Sequence, residues 1–392
     1  MSVLDGLSRL ACDDEGVAKL VAGRRVGLLA HPASVDTALC HAEEVLPRSG
    51  AKLAAIFGPE HGYSGQAQYM VGVASSAGAI PVYSLYGDTF EELSPTPEQL
   101  VGLDAVVVDL QDVGSRYYTF VWSMALMLRA CARAGVSCIV LDRPNPLGGA
   151  LMEGAPQRPG YRSFVGLYDV PVRHGLTIGE LARMVHELEG LPAESLAVVP
   201  MRGYRRELDF RATGLPWVLP SPNMPTPETA LVYPGGCLLE GTNLSEGRGT
   251  TRPFELWGAP FVNGGELARN IHAEGLSAGV RLRPLQFEPT FHKFAGQTCG
   301  GVQVHVRDVA AFRPYALYLR GIAHVLRAAE ADFAFRTEPY EYVSDRPAID
   351  LLTGGPEFRQ VASSASALED YLQAQDGPLA EFAARRRPWL LY

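Results

Sequence analysis

Lys52-Leu53-Ala54-Ala55-Ile56-Phe57-Gly58-Pro59-Glu60-His61-Gly62 runs from a short apolar stretch of strand length straight into a turn that sets two titratable side chains among glycine and proline. Four more runs of the same kind, Arg25 to Ala30, Pro81 to Leu85, Asp104 to Leu110 and Ser137 to Leu141, are short, mainly apolar and bounded by turn residues. Continuous rather than alternating hydrophobicity means burial on both faces. Helical patterns lie between them, clearest from Tyr117 to Ala134, where Val121, Met124, Ala125, Leu128 and Cys131 recur at 3.6-residue spacing and Gly135 supplies a stop. Thr177, with Glu180 three residues on, forms a capping box for a helix to Leu188, and Leu196 to Met201 is a further strand. Strand and helix in alternation predict an α/β chain with a Rossmann-like parallel sheet. No GxGxxG follows the first strand, which continues Ala30-His31-Pro32-Ala33-Ser34, so no dinucleotide is expected; no cofactor of another kind is expected either.

Five prolines in Leu215 to Pro227 exclude regular structure there and make that stretch either a linker or a rigid wall of a pocket. The boundary is placed after it, giving a Rossmann-like α/β domain over 1–227 and a smaller α+β domain over 228–392, with the active-site cleft between them. Strands near Val280 to Phe287 and Gly301 to Val306 and helices near 265–277 and Tyr315 to Ala329 are expected in the second part.

The 392 residues are 47% hydrophobic and 20% charged, the balance of an ordinary globular protein, and a net charge of −9 supplies no basic face for nucleic acid. Six scattered cysteines form no CxxC pair, so neither a zinc site nor a disulfide framework is expected. No segment reaches the ~20 apolar residues that span a bilayer. The amino terminus carries Asp5, Asp13, Asp14 and Glu15 in place of a signal-peptide core. Cytoplasmic location is the expectation, with periplasm or secretion as the alternative.

In a parallel sheet the loops after the strands face one crevice. Three such loops carry the chemistry: Glu60-His61, then Asp109-Leu110-Gln111-Asp112 through Arg116, then Asp142-Arg143-Pro144-Asn145. Their convergence would make a polar, carboxylate-rich cleft suited to a sugar. A fourth segment, Glu240 to Phe254, is Gly-rich and polar, and its Glu246, Arg248 and Arg252 could reach across from the second domain. Glu60 as a turn carboxylate, His61 as a structural hydrogen-bonder, and Asp109 and Asp112 as partners of Arg116 in a buried network are the plainer readings of the same residues. Trp217 and Trp257 read as sugar platforms or as packing. His61 with Asp109, Asp112 and Asp142 has ligand types for a divalent ion but no ligand spacing, and no metal is expected.

The same segments resemble the NamZ family, the exo-acting β-N-acetylmuramidases of bacteria. The likeness lies in GPEHG at Gly58 to Gly62, VYSLYG at Val82 to Gly87, DLQDVGSRYYTF at Asp109 to Phe120 and DRPNPLGG at Asp142 to Gly149. It continues in PSPNMPT at Pro220 to Thr226 and EGTNLSEGRGTTRPFE at Glu240 to Glu255. The resemblance implies removal of terminal N-acetylmuramic acid from the non-reducing end of peptidoglycan fragments, in a cleft between two domains. Glu60 is then the candidate acid, its carboxyl raised toward neutrality by enclosure. His61, Asp109, Asp112 and Glu246 are the other candidate catalytic groups. Arg116, Tyr117, Arg143, Asn145, Asn223, Asn243, Arg248 and Arg252 are candidate substrate-binding residues, the arginines for the lactyl carboxylate. Retention, inversion and acetamido assistance stay open, as does oligomeric state. A non-catalytic muropeptide-binding protein and a metal-dependent hydrolase remain the rival classes.

Overall fold

A computed structural model of the chain describes residues 3–65, 80–275 and 277–392. The apolar runs form one parallel sheet: β1 (Arg25–Ala30), β2 (Lys52–Gly58), β3 (Val82–Ser84), β4 (Ala105–Asp109), β5 (Ser137–Leu141) and β6 (Leu196–Val199), in the order β3-β2-β1-β4-β5-β6. All five residues of β4 are buried, as a strand covered on both faces requires. The helix expected from Tyr117 starts at Phe120 and ends where Gly135 turns left-handed at φ 68°. Thr177 caps Ile178–Leu188 as its spacing predicts: its hydroxyl accepts the Glu180 N–H (3.2 Å) and Glu180 Oε2 accepts the Thr177 N–H (3.0 Å). Such a cap is worth about 1 kcal/mol.

This strand order reverses direction between β1 and β4, the place where open α/β sheets usually hold a ligand. Here that crevice is filled by the protein itself. The helix Gly6–Ala11 lies across the end of β5, with Gly6 N–H donating to Asp142 O (2.8 Å), and a Cβ on Gly6 would come within 2.6 Å of the Asp142 nitrogen. Arg143 spans the gap, donating to both oxygens of Asp109 (2.5 and 2.7 Å) and to Asp5 (3.2 Å). His31, just after β1, completes the filling. It accepts the Gln111 N–H at Nε2 (2.9 Å), so its proton is on Nδ1, which donates to Pro220 O (3.1 Å).

The second sheet is antiparallel, β7 (Leu256–Ala259), β9 (Cys299–Val306) and β8 (Val280–Phe287), in the order β7-β9-β8. β7 has no counterpart among the expected strands: four residues with a glycine among them give no period to read. Helices Gly264–Ala273 and Pro314–Ala328 complete this layer. The first of them ends before the expected 277, and Leu276 lies outside the described residues. Trp257 packs on Tyr318 in this core and Trp217 on Phe210, the packing reading of both.

Chain order and spatial grouping part company at the carboxyl end. Arg386 donates to Gly175 O (2.7 Å) and Gly149 O (3.1 Å), and the Tyr392 hydroxyl reaches Asp142 (2.7 Å), so the last turn packs on the first sheet. Arg116 is a second tie. Fully buried, it donates to Val170 O (3.1 Å) and Ala155 O (3.3 Å) on one side and to Leu352 O (2.5 Å) on the other.

Burial pushes the His31 imidazole from its ordinary 6.5 down to about 3, so it is neutral in the folded chain. The unfolded chain takes up that proton as pH falls below ~6.5 and the folded one does not, so stability is lost through this window. Urea unfolding at pH 7.5 and pH 5 is expected to show wild type losing about 2 kcal/mol more than His31→Asn. Equal losses in the two proteins would contradict the neutral, buried ring.

Candidate active site

The turn after β2 is built to expose what it carries. A Cβ on Gly58 would lie 2.4 Å from the Tyr63 nitrogen, so the chain folds back onto the strand end there. His61 and Gly62 complete the turn in the left-handed region, at φ 70° and 78°. Glu60 and His61 thereby enter a cavity of about 660 Å³ between the two sheets' domains. Glu60 Oε2 accepts the Thr119 hydroxyl (2.5 Å), and His61 Nε2 lies 4.0 Å from the other oxygen. Tyr117, Tyr118, Tyr233, Phe254, Phe335 and Tyr340 supply broad apolar faces to the same space. That combination suits a sugar, with flat faces to cover and hydroxyls to satisfy.

On the opposite wall the charges are arranged in pairs. Glu246 is wholly buried behind the lining and meets Lys293 (3.0 Å), His292 (2.9 Å) and Arg248 (3.6 Å). Burial alone would raise its carboxyl, but Lys293, His292 and Arg248 overcome that and hold it well below the carboxylate range. Lys293 is spent there, donating also to Leu239 O (2.9 Å) and Leu244 O (3.0 Å). Arg248 lines the cavity and pairs with Glu240 (2.6 Å), whose other oxygen accepts the Tyr340 hydroxyl (2.8 Å).

Residues 334–341 cross the cavity as a strap. Asn243 anchors it, with Nδ2 donating to Asp332 O (2.8 Å) and Oδ1 accepting the Ala334 N–H (3.0 Å), and the Tyr342 hydroxyl ties it to Gly87 O (2.9 Å) across the cleft. Glu341 sits on this strap at φ 46°, its Oε2 buried without a hydrogen-bond partner. Burial first, then the charges of Glu60 and Glu240, push its carboxyl well above the usual range. Nine non-glycine residues among those described adopt positive φ, and five of them line this cavity: His61, Phe254, His292, Phe294 and Glu341. Conformations costing roughly 1–3 kcal/mol each gather where function is carried.

Of the residues expected from sequence, Glu60, His61, Tyr117, Asn223, Asn243 and Arg248 line the cavity. The remaining seven do not, each for a physical reason. Asp109 and Arg143 neutralise each other in the filled crevice. Asp112 turns inward, accepting the Gly114 N–H (2.8 Å) and standing 3.2 Å from His174 Nε2. Arg116 is consumed by three carbonyls, and Asn145 bridges Leu176 O (3.0 Å) and the Leu147 N–H (3.0 Å). Glu246 positions Lys293 and His292 from behind, and Arg252 sits outside, 3.6 Å from Glu255. The proline-rich stretch is a wall, contributing Ser221, Asn223 and Met224. Among the described residues no three His, Cys, Asp or Glu side chains are grouped as a metal would need.

Sequence reasoning missed Thr119, Glu240, His292, Lys293, Arg336 and the strap with Glu341. A signal existed for two of them: Lys293 is one of only three lysines, and Glu338-Pro339-Tyr340-Glu341-Tyr342 is a polar aromatic run unlike its surroundings.

The models for exo-β-N-acetylmuramidase NamZ match the chain in both parts, the N-terminal one over residues 26–228 and the C-terminal one over 231–392. Peptidoglycan β-N-acetylmuramidase NamZ of Bacillus subtilis is 42% identical over 378 residues, 95% of this chain and 88% of that protein. Two crystal structures of DUF1343 family proteins from Bacteroides fragilis superpose over 100% of this chain and 99% of theirs. One has TM-score 0.86 at 32% identity, the other 0.76 at 26%.

If Glu246 is a support rather than a reacting group, neutralising this wholly buried carboxylate leaves Lys293 and Arg248 without their shared counter-charge. Glu246→Gln is expected to lower the unfolding free energy by on the order of 3 kcal/mol in urea at pH 7. A change below about 0.5 kcal/mol, the range of surface substitutions, would sink this assignment.

Proposed function

The chain belongs to the NamZ family of exo-β-N-acetylmuramidases, and from that premise we propose that it is a glycoside hydrolase releasing terminal β-linked N-acetylmuramic acid from the non-reducing end of peptidoglycan fragments. One observation carries the reading. Glu60, from the GPEHG turn of one domain, and Arg248, from the GRGTTRP loop of the other, line the same cavity. Neither domain holds this site alone.

Glu60 is the catalytic carboxyl group of this reading, within the enclosed, aromatic-lined space that a pyranose fills. The lactyl carboxylate, which separates muramic acid from glucosamine, requires a cation with donors to spare. Arg248 shares its charge with Glu240. Arg336, also lining the cavity, gives one hydrogen bond to Pro339 O (3.1 Å) and lies 3.8 Å from the exposed Glu338. Arg336 is therefore the reader of the lactyl group in this proposal, with Arg248 beside it.

Release of free N-acetylmuramic acid from a chromogenic β-N-acetylmuramide, run beside the matching β-N-acetylglucosaminide and a chelator, tests the reading. Chelator-resistant cleavage of the muramide alone is expected. Glu60→Gln should cost 10²-fold or more in kcat, of the order that proton-transfer groups contribute, and Arg336→Met should narrow the muramide-to-glucosaminide ratio. Saturable binding without turnover would favour a muropeptide-binding protein, and chelator-sensitive turnover a metal-dependent hydrolase.

We place the work of the enzyme in the cytoplasm, on fragments brought in for recycling. All six cysteines are free thiols, four of them buried, a state that a reducing compartment maintains. Cell fractionation checks this, and recovery from the periplasm or medium would refute it.

A further inference from the structure

We propose that Glu341 is the acid of the reaction and Glu60 its partner carboxylate, so that the catalytic pair is split between the two domains. The inference rests on the muramidase reading above and moves the proton that sequence reasoning gave to Glu60.

Three carboxyl groups at or behind the cavity wall are spent or exposed. Glu240 spends one oxygen on Arg248 and the other on Tyr340. Glu246 is enclosed by Lys293, His292 and Arg248 behind the wall. Glu338 is largely exposed, its side chain 71% accessible beside Arg336. Glu60 and Glu341 remain, facing the cavity from opposite domains. Their hydrogen-bonding surroundings differ. Glu60 has an oxygen already engaged, accepting the Thr119 hydroxyl (2.5 Å). Glu341 has a buried oxygen with no donor at all, which favours the neutral form.

The charges facing Glu341 point the same way. Glu60 and Glu240 discourage its ionisation, Arg248 and Arg336 oppose them more weakly, and the adjacent phenols of Tyr86 and Tyr342 are themselves held protonated, by burial first. The strap holds Glu341 at φ 46° and Tyr342 at φ 66°, with reciprocal hydrogen bonds between Tyr340 and Val343 (2.9 and 3.0 Å) closing the turn. A strained backbone kept by such a closed turn fixes where the carboxyl points.

In the step itself the C1–O bond of the muramide breaks and its electron pair leaves on the aglycone oxygen, which takes the proton of Glu341. Water supplies the oxygen at C1. Its proton passes to Glu60 and returns through solvent to Glu341, so one water is consumed and both carboxyl groups are restored.

The test compares two leaving groups. N-Acetylmuramyl-β-1,4-N-acetylglucosamine needs a proton on its departing oxygen, and 2,4-dinitrophenyl β-N-acetylmuramide does not. Glu341→Gln is expected to lose 10²-fold or more in kcat/KM on the disaccharide, to stay within about 10-fold on the dinitrophenyl substrate, and to lose the basic limb of the pH profile. Glu60→Gln should fall on both. The proposal is overturned if Glu341→Gln loses both substrates equally or neither, or if the leaving-group dependence belongs to Glu60→Gln. Should Glu341→Gln not fold, Glu240→Gln provides the second arm: removing a neighbouring negative charge and freeing Arg248 should move the basic limb to lower pH, and an unmoved or raised limb counts against Glu341. Wild-type failure on both substrates would strike the muramidase reading itself.

Discussion

Arg143 donates to both oxygens of Asp109 from within the crevice between β1 and β4, and that pair closes the place where such sheets usually hold a ligand. A buried ion pair of this geometry is costly to assemble and costlier to break, because either partner left alone is an uncompensated charge. With Asp5 added on one side, His31 on the other and the amino-terminal helix lying over the top, the switch point of the sheet has no room for a ligand. The site is displaced one strand outward, to the end of β2. There the first domain supplies part of the enclosure, including Thr119 and the proline-rich wall, and the antiparallel domain supplies the rest.

The same division runs through all the charges of the molecule. Asp112, Arg116, Asp142 and Glu246 are buried and held by backbone donors, carbonyls or opposite charges, and they set the frame. The cavity keeps the groups whose capacity is not exhausted: Glu60, Glu341, Arg336 and part of Arg248. Backbone strain follows this second set, since left-handed conformations at His61, Phe254, His292, Phe294 and Glu341 are held by the packed walls behind them.

Much of the fold was legible because the central runs of the parallel sheet are predominantly apolar and buried, as in β1, β4 and β5. β1, β5 and β8 occupy the expected spans, and the Thr177 capping box forms as its spacing requires. β7 was illegible because four residues containing a glycine carry no periodicity. In the site, the turn at Glu60 could be read because glycine and proline have no core to fill and leave the titratable groups to explain. Asp109, Arg116 and Arg143 misled for a matching reason. A charged residue at a strand end looks the same in sequence whether it faces a ligand or another charge 138 residues away, as Arg143 faces Asp5. Glu341 was hidden because its character comes from neighbours far off in the chain, Glu60 and Glu240, and from a carboxyl oxygen deprived of donors.

A pair of carboxyl groups divided between domains makes the domain interface part of the chemistry. In glycoside hydrolysis the separation of the two groups, on the order of 5 Å or up to about 9 Å, decides whether water can stand between the sugar and the second carboxylate. In this chain that separation is set by contacts that touch no sugar: Arg116 joining Val170 and Ala155 to Leu352, the Tyr342 hydroxyl on Gly87, and the final turn gripping the first sheet through Arg386 and Tyr392. These ties hold the walls at one spacing, and a buried arginine bonded only to carbonyl groups is suited to that task because any shift of either domain leaves its charge unsolvated.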